Sequence, residues 1–408
     1  MRTKCLLPAL AIALASAAAF AEVAPEETGH SAKLSESWSP HAFWASDLLL
    51  RRSALFDADS GQMLGALDAG QDLSPVRPLR SAARRELYVA STYYARRSHG
   101  ERTDALVIYD ATTLAPIAEV ALPAKKASNA HGIAIVALLD DGRFALVFNQ
   151  TPANSVSVVD LAERRLASEI ETGGCALVYP AGPRRFGMLC VDGTALAITL
   201  DERGAETSRS ASAKFFDAAR DPVTEKGVRL GDGRWLFASF EGMAHEVDFA
   251  ANGGPAAKPA WSLFSDTERD DGWRIGGHLH LAFHAASGLL YSLVHQGEAD
   301  SHKQAGTELW VYDVAKRTKQ RAIEIPNVSA AALRSLLDLP EGGAVDWILQ
   351  RVVPNAGADC VLVTPDDEPR IVLSNQEAPV IAVLDAQSGE LLREIEEPGI
   401  AIGLLAAP

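Results

Sequence analysis

Three histidines, His278, His280 and His284, are separated by even numbers of residues. On one continuous strand that spacing places them on one face, and imidazoles sharing a face are candidate metal ligands. No carboxylate or cysteine is spaced to complete the set, and Leu279, Leu281 and Phe283 alternate with them as ordinary strand packing would. No metal is assigned. His295 and His302 lie in the following loop region and add no ligand spacing. Thiols come next. Cys175 and Cys190 flank ALVYPAGPRRFGML, two short apolar runs around a Pro-Gly turn. In an oxidising compartment they can pair across that hairpin. The alternative, a metal site, lacks the close Cys-x-x-Cys spacing. Cys360, in GADCVLV, reads as a buried free thiol rather than a nucleophile. His41-Ala42-Phe43-Trp44 brings two aromatics together, either as core packing or as an aromatic lip over a ligand channel. The chain shows no nucleophile motif and no phosphate-cradling loop, so no residue on it is assigned a catalytic role.

The elements that must carry these residues repeat. Asp104 to Pro123, DALVIYDATTLAPIAEVALP, alternates apolar and polar residues, passes an Asp at Asp110, turns, and alternates again. Period-two alternation around a polar turn is an antiparallel hairpin. The phrase returns around Asp57, Asp160, Asp201, Asp248, Asp313 and Asp385, seven copies in all. Most intervals hold a further strand pair, with Arg85 to Tyr94, Arg143 to Gln150, Arg234 to Phe240, Gly288 to Val294 and Pro369 to Asn375 as examples. Lone hairpins are marginal in water, and a hairpin repeated about every 50 residues predicts one sheet per repeat. Four strands taken seven times give an all-β fold, a seven-bladed β-propeller. The repeating Asp has a structural role, because at a strand end its carboxylate accepts backbone N–H groups in the turn. Two stretches depart from the pattern. The loop Tyr93 to Asp104 is long and basic, as contact loops often are. Val328 to Pro354 has helical spacing and lies in the longest Asp-to-Asp interval, so residues 328–354 are expected to form a helical insertion.

The chain begins with a signal-peptide pattern. Arg2 and Lys4 precede an apolar run from Leu6 to Ala18 and an Ala19-Phe20-Ala21 box, placing cleavage after Ala21. The run is too short and alanine-rich to be read as a membrane span. The expected organisation is a signal peptide over 1–21, an N-terminal arm over 22–40, and the propeller over 41–408. The expected location is the periplasm. The formal charge of −15 becomes −17 once Arg2 and Lys4 are removed. That balance argues against binding nucleic acid or an anionic membrane through bulk charge.

Four stretches together resemble a known family. GERTDALVIYDATTLAPIAEVALP, the Gly174-Cys175 to Gly193 pattern, WSLFSDTERDDGWRIGG and HKQAGTELWVYD are similar to the heavy subunit of methylamine dehydrogenase. They look still more like the heavy subunit of aromatic (aralkyl) amine dehydrogenase. The likeness covers roughly Arg51 to Asn327 and Arg370 to Ile395. It implies a periplasmic seven-bladed propeller that is half of an enzyme, two heavy and two light subunits together. The light subunit carries tryptophan tryptophylquinone, a primary amine is oxidised to an aldehyde and ammonia, and electrons pass to a copper protein of the amicyanin or azurin kind. The resemblance places a Phe near the propeller's start in the substrate channel; Phe43 is the matching position, with Trp44 beside it. It also maps the family's cross-hairpin disulfide onto Cys175 and Cys190. The 328–354 insertion and the C-terminal GIAIGLLAAP depart from the family pattern. Two other functions compete: a stand-alone periplasmic binding scaffold, and a lactonase-type hydrolase, which needs a central metal held by carboxylates or Asn.

Overall fold

A computed structural model describes residues 33–68, 70, 77–128 and 132–408. The cleavage site and residues 22–32 of the arm lie outside the described residues. Leu34–Pro408 forms one compact unit.

Seven antiparallel sheets follow one another along the chain, each of four main strands running from an inner to an outer edge. Blade 2 shows the plan: Leu79–Ser81 innermost, then Glu86–Tyr94, Arg102–Asp110 and Pro116–Leu122. Blade 1 is made from both ends of the chain. Its innermost strand is the C-terminal Ile402–Ala406, which pairs with Ala42–Asp47. The ring is therefore closed by a strand from the far end of the sequence, which ties both ends of the chain into one sheet. GIAIGLLAAP is the segment that closes it.

The two middle strands of a blade are buried on both faces, the innermost is partly buried and lines the channel, and the outermost is the most exposed. Phe144–Asn149 and Ser155–Asp160 are buried throughout, whereas Arg165–Glu171 exposes most positions. Aliphatic and aromatic side chains between adjacent blades form the core, and strands such as Phe144–Asn149 carry apolar residues on both faces because both are covered.

The repeating Asp ends the third strand of each blade or follows it directly. Its Oδ1 accepts backbone N–H groups of the next turn: from Ser60 at Asp57, Thr112 and Thr113 at Asp110, Ala162 and Glu163 at Asp160, Arg203 and Ala205 at Asp201, Ala250 at Asp248, Lys316 at Asp313, and Gln387 and Ser388 at Asp385. The Thr112 hydroxyl, with the Thr113 and Thr112 amides, holds the Asp110 carboxyl far below its usual range. The sevenfold motif is a turn-capping device.

Helices are few. α1, Asp266–Asp270, opens with a capping box between Ser265 and Glu268. α2, Val328–Leu336, and α3, Ala344–Val352, occupy the connection from blade 6 to blade 7. Asn327 caps α2 by accepting from the Ala330 amide. Arg334, 3% exposed, bridges from α2 to Glu394 at 2.6 Å and Glu396 at 2.7 Å on the outer strand of blade 7. That ion network fixes the insertion to the propeller.

Candidate functional site

The inner strands surround a central channel. A cavity of about 450 Å³ is lined from all seven blades, for example by Leu79, Ala137, Val178, Val228, Leu281, Val363 and Leu405. Its wall is mainly aliphatic, with Arg80 and Arg229 among the few charged members. Such a wall can hold apolar groups and exclude water. Among the described residues it presents no array of acids, bases or nucleophiles across a reacting bond.

A second, polar cavity of about 480 Å³ lies where the inner strands of blades 4 to 6 begin. Phe148, Gln150 and Asn154 of blade 3, Ala176 and Leu177 of blade 4, Glu225 and Lys226 before blade 5, and His278 and Lys303 of blade 6 form its wall. Two glycines shape it. The inner strand of blade 6 is interrupted: Trp273–Ile275 and Leu281–His284 both pair with Leu289–Gln296, and Gly276 to His280 bulge between them. Gly277 has φ +100°, and a Cβ there would come within 2.6 Å of the Asp359 carbonyl. The bulge reaches blade 7. Leu279 donates its N–H to Asp359 O and accepts from the Val361 N–H, both at 2.9 Å.

That interruption corrects the one-face expectation for the three histidines. His284 sits at the strand end, its Nε2 2.8 Å from Asp366 O and its Nδ1 2.8 Å from the Ser287 hydroxyl. His280 is buried beside the Thr224 hydroxyl at 3.3 Å; burial, then Lys226 and His302, lower its pKa well below the usual value. His278 lies 3.6 Å from Asp359. Among the described residues, no three His, Cys, Asp or Glu side chains are grouped to hold a metal. Sequence spacing missed the arrangement because it assumed an unbroken strand; the Gly276-Gly277 pair was the available sign.

Cys175 and Cys190 are directly opposite on the first two strands of blade 4 and are disulfide-bonded. Cys360 is free and fully buried, with its thiol pushed up to about 12 by burial and the Asp359 charge. A thiol held protonated in this way is a poor nucleophile.

Phe43 and Trp44 are both 0% exposed in this chain. Phe43 stacks on Phe56 at 5.8 Å among residues of blades 1, 6 and 7. Trp44 meets Trp38 edge-on at 5.9 Å, and Arg80 lies over the Trp38 ring at 4.2 Å. Both rings pack within the core. Beside them is a contact that sequence patterning did not single out. His41, 7% exposed, places Nδ1 2.6 Å from Asp59 of blade 1 and Nε2 2.9 Å from Asp366 of blade 7. Burial alone would lower the His41 pKa, but the two carboxylates outweigh it and raise it.

The fold and these two cavities define a ring-closed, seven-bladed propeller with an apolar central channel and a separate polar mouth. The sequence model described as methylamine dehydrogenase heavy chain (MADH) matches residues 48–330, and the chain belongs to that family. Named relatives carry the match further. The methylamine dehydrogenase heavy chain of Methylophilus methylotrophus is 25% identical, over 97% of this chain and 93% of its own length. That of Paracoccus versutus is 26% identical, over 85% and 73%. Solved propellers agree in fold alone. The periplasmic gluconolactonase PpgL of Pseudomonas aeruginosa superposes with a TM-score of 0.55 at 14% identity, covering 90% of this chain and 99% of that one. The dihydro-heme d1 dehydrogenase NirN superposes at 0.53 and 16%, covering 91% and 75%.

Proposed function

We propose that this chain is the heavy subunit of a periplasmic amine dehydrogenase. The observation that carries the reading is the family match over residues 48–330, which lies on a complete propeller. In the proposed assembly two heavy and two light chains associate, and the light chain bears the tryptophan tryptophylquinone. That group supplies the redox chemistry that turns a primary amine into an aldehyde and ammonia. Electrons leave to an amicyanin- or azurin-like copper protein. This chain's part is to hold the light subunit and shape the path of the amine. Trp38, Trp44, Trp235, Trp261 and Trp310 are committed to its own packing. The channel role proposed for Phe43 and Trp44 is one of support: their fully buried rings set the backbone at the start of blade 1.

Purification from the native host tests the assembly. A small quinone-bearing chain is expected to accompany this one, with amine-dependent dye reduction present only when both are combined. Full amine oxidation by this chain alone, or no activity with any such small chain, would refute the assignment. The isolated protein would then be a stand-alone scaffold.

A further inference from the structure

We propose that the polar cavity at the mouth of the propeller binds a small oxyanion, either a short organic carboxylate or an inorganic phosphate-like ion. This site is distinct from the apolar central channel and does not rest on the heavy-subunit reading.

Lys226 is the centre of the case. It is 6% exposed and lines the cavity, yet among the described residues its ammonium has no hydrogen-bond acceptor. The nearest carboxylate oxygen, Glu225 Oε1, is 3.7 Å away, and the Glu225 side chain is itself 42% exposed. Its stem is buried while its ammonium reaches the cavity, so an anion entering the cavity can pair with it directly. Lys303 adds a second positive charge to the same wall, and Gln150 brings an amide that can donate. Asn154 Nδ2 is already engaged with the Cys175 carbonyl.

Among the described residues, the other ionisable groups nearby are Glu225, Asp300, Asp359, His278, His280 and His302, Asp300 acting on His302 as Lys226 and Lys303 do but with opposite sign. Asp359 is drawn away, its Oδ1 toward His278 at 3.6 Å and its Oδ2 accepting the Gln376 N–H at 2.9 Å. His280 is buried, and His302 stacks on Phe240 with ring centroids 3.5 Å apart. The wall thus sets two lysines against one carboxylate, on a chain whose formal net charge is −15. A volume of about 480 Å³ suits a small molecule. A charged group in a partly enclosed site of this kind makes strong, charge-assisted hydrogen bonds.

The experiment is calorimetric titration of the purified full-length mature protein with inorganic phosphate and, separately, with succinate. Both are compared with sodium chloride at equal ionic strength. One-site binding with Kd below about 1 mM is expected for at least one probe. Heat from phosphate alone identifies an inorganic ion as the ligand type, and heat from succinate alone a carboxylate. Lys226→Met is expected to weaken binding by about tenfold or more. Because Lys226 is buried, the exposed Lys303 supplies variants that preserve the fold. Lys303→Met is expected to weaken binding about threefold and Lys303→Glu to abolish it. Heats no larger than those of chloride for both probes, or affinities unchanged in both Lys303 variants, would overturn the site.

Discussion

His41 joins the first blade to the last, and its charge makes that contact depend on pH. Its two ring nitrogens face Asp59 at 2.6 Å and Asp366 at 2.9 Å. Nε2 also lies 3.1 Å from the Glu368 carbonyl. Every partner on the Nε2 side is an acceptor, so the ring gains from carrying both protons. The folded-state pKa is raised above 6.5 despite burial. The sign follows by linkage: the stabilisation is complete below the unfolded value and is lost as pH rises through the folded one. Asp59 is 51% exposed at its side chain and Asp366 only 17%, so the Asp366 bond carries most of the energy. One well-buried charge-assisted bond and one screened bond amount to about 2–3 kcal/mol. His41→Gln keeps a polar side chain but cannot take the charge. Urea unfolding of both proteins at about pH 5.5 and about pH 8.5 isolates the effect. The wild type should exceed the variant by about 2–3 kcal/mol at the lower pH and by clearly less at the higher. A difference equal at both pH values would refute a charged His41. A difference near zero at both would show that the contact between blades 1 and 7 is not held there.

Other residues give independent tests. Reducing Cys175–Cys190, or replacing both with Ser, opens a loop with a sequence separation of 15 and should lower unfolding free energy by about 3 kcal/mol, read by urea denaturation. Phe43→Ala removes a fully buried ring and is expected to cost about 3–5 kcal/mol by the same measurement; a loss below about 1 kcal/mol would show that the ring is not in the core. Arg334→Met leaves Glu394 buried without its partner and should cost about 3–5 kcal/mol, with faster proteolysis within 337–343 as α2 and α3 lift from blade 7. Unchanged cleavage there would mean that apolar contacts alone hold the insertion.

The repeat was legible because its signal is local. Alternation gives each hairpin, and an Asp two or three residues before the amides it accepts gives each turn, so seven copies mark seven sheets without any distant contact. Cys175 and Cys190 were readable for the same reason, being opposite across one hairpin. The helical spacing in 328–354 also shows in neighbouring residues, and α2 and α3 fall inside that stretch. What escaped sequence reading depends on blades meeting. His41 finds Asp366 at a sequence separation of 325, and no periodicity within either segment encodes that meeting. Lys226 lies in the long connection from blade 4 to blade 5, and only the packing of neighbouring blades brings it to a wall shared with Gln150 and Lys303.

The same distinction separates the roles of the two cavities. The central channel is made of inner-strand side chains, and their alternation is fixed by what the core requires. Val178, Val228 and Val363 line it because β-branched residues fill a crowded inner strand. The polar mouth is built differently. Its charged members come from loops and from the break at Gly276-Gly277, where no packing rule calls for lysine or histidine. The Lys226 stem is buried, while its ammonium reaches the cavity with Glu225 Oε1 3.7 Å away. Two lysines on a wall that packing does not dictate are the groups through which the proposed oxyanion would be held, whereas the channel wall offers mainly aliphatic contact.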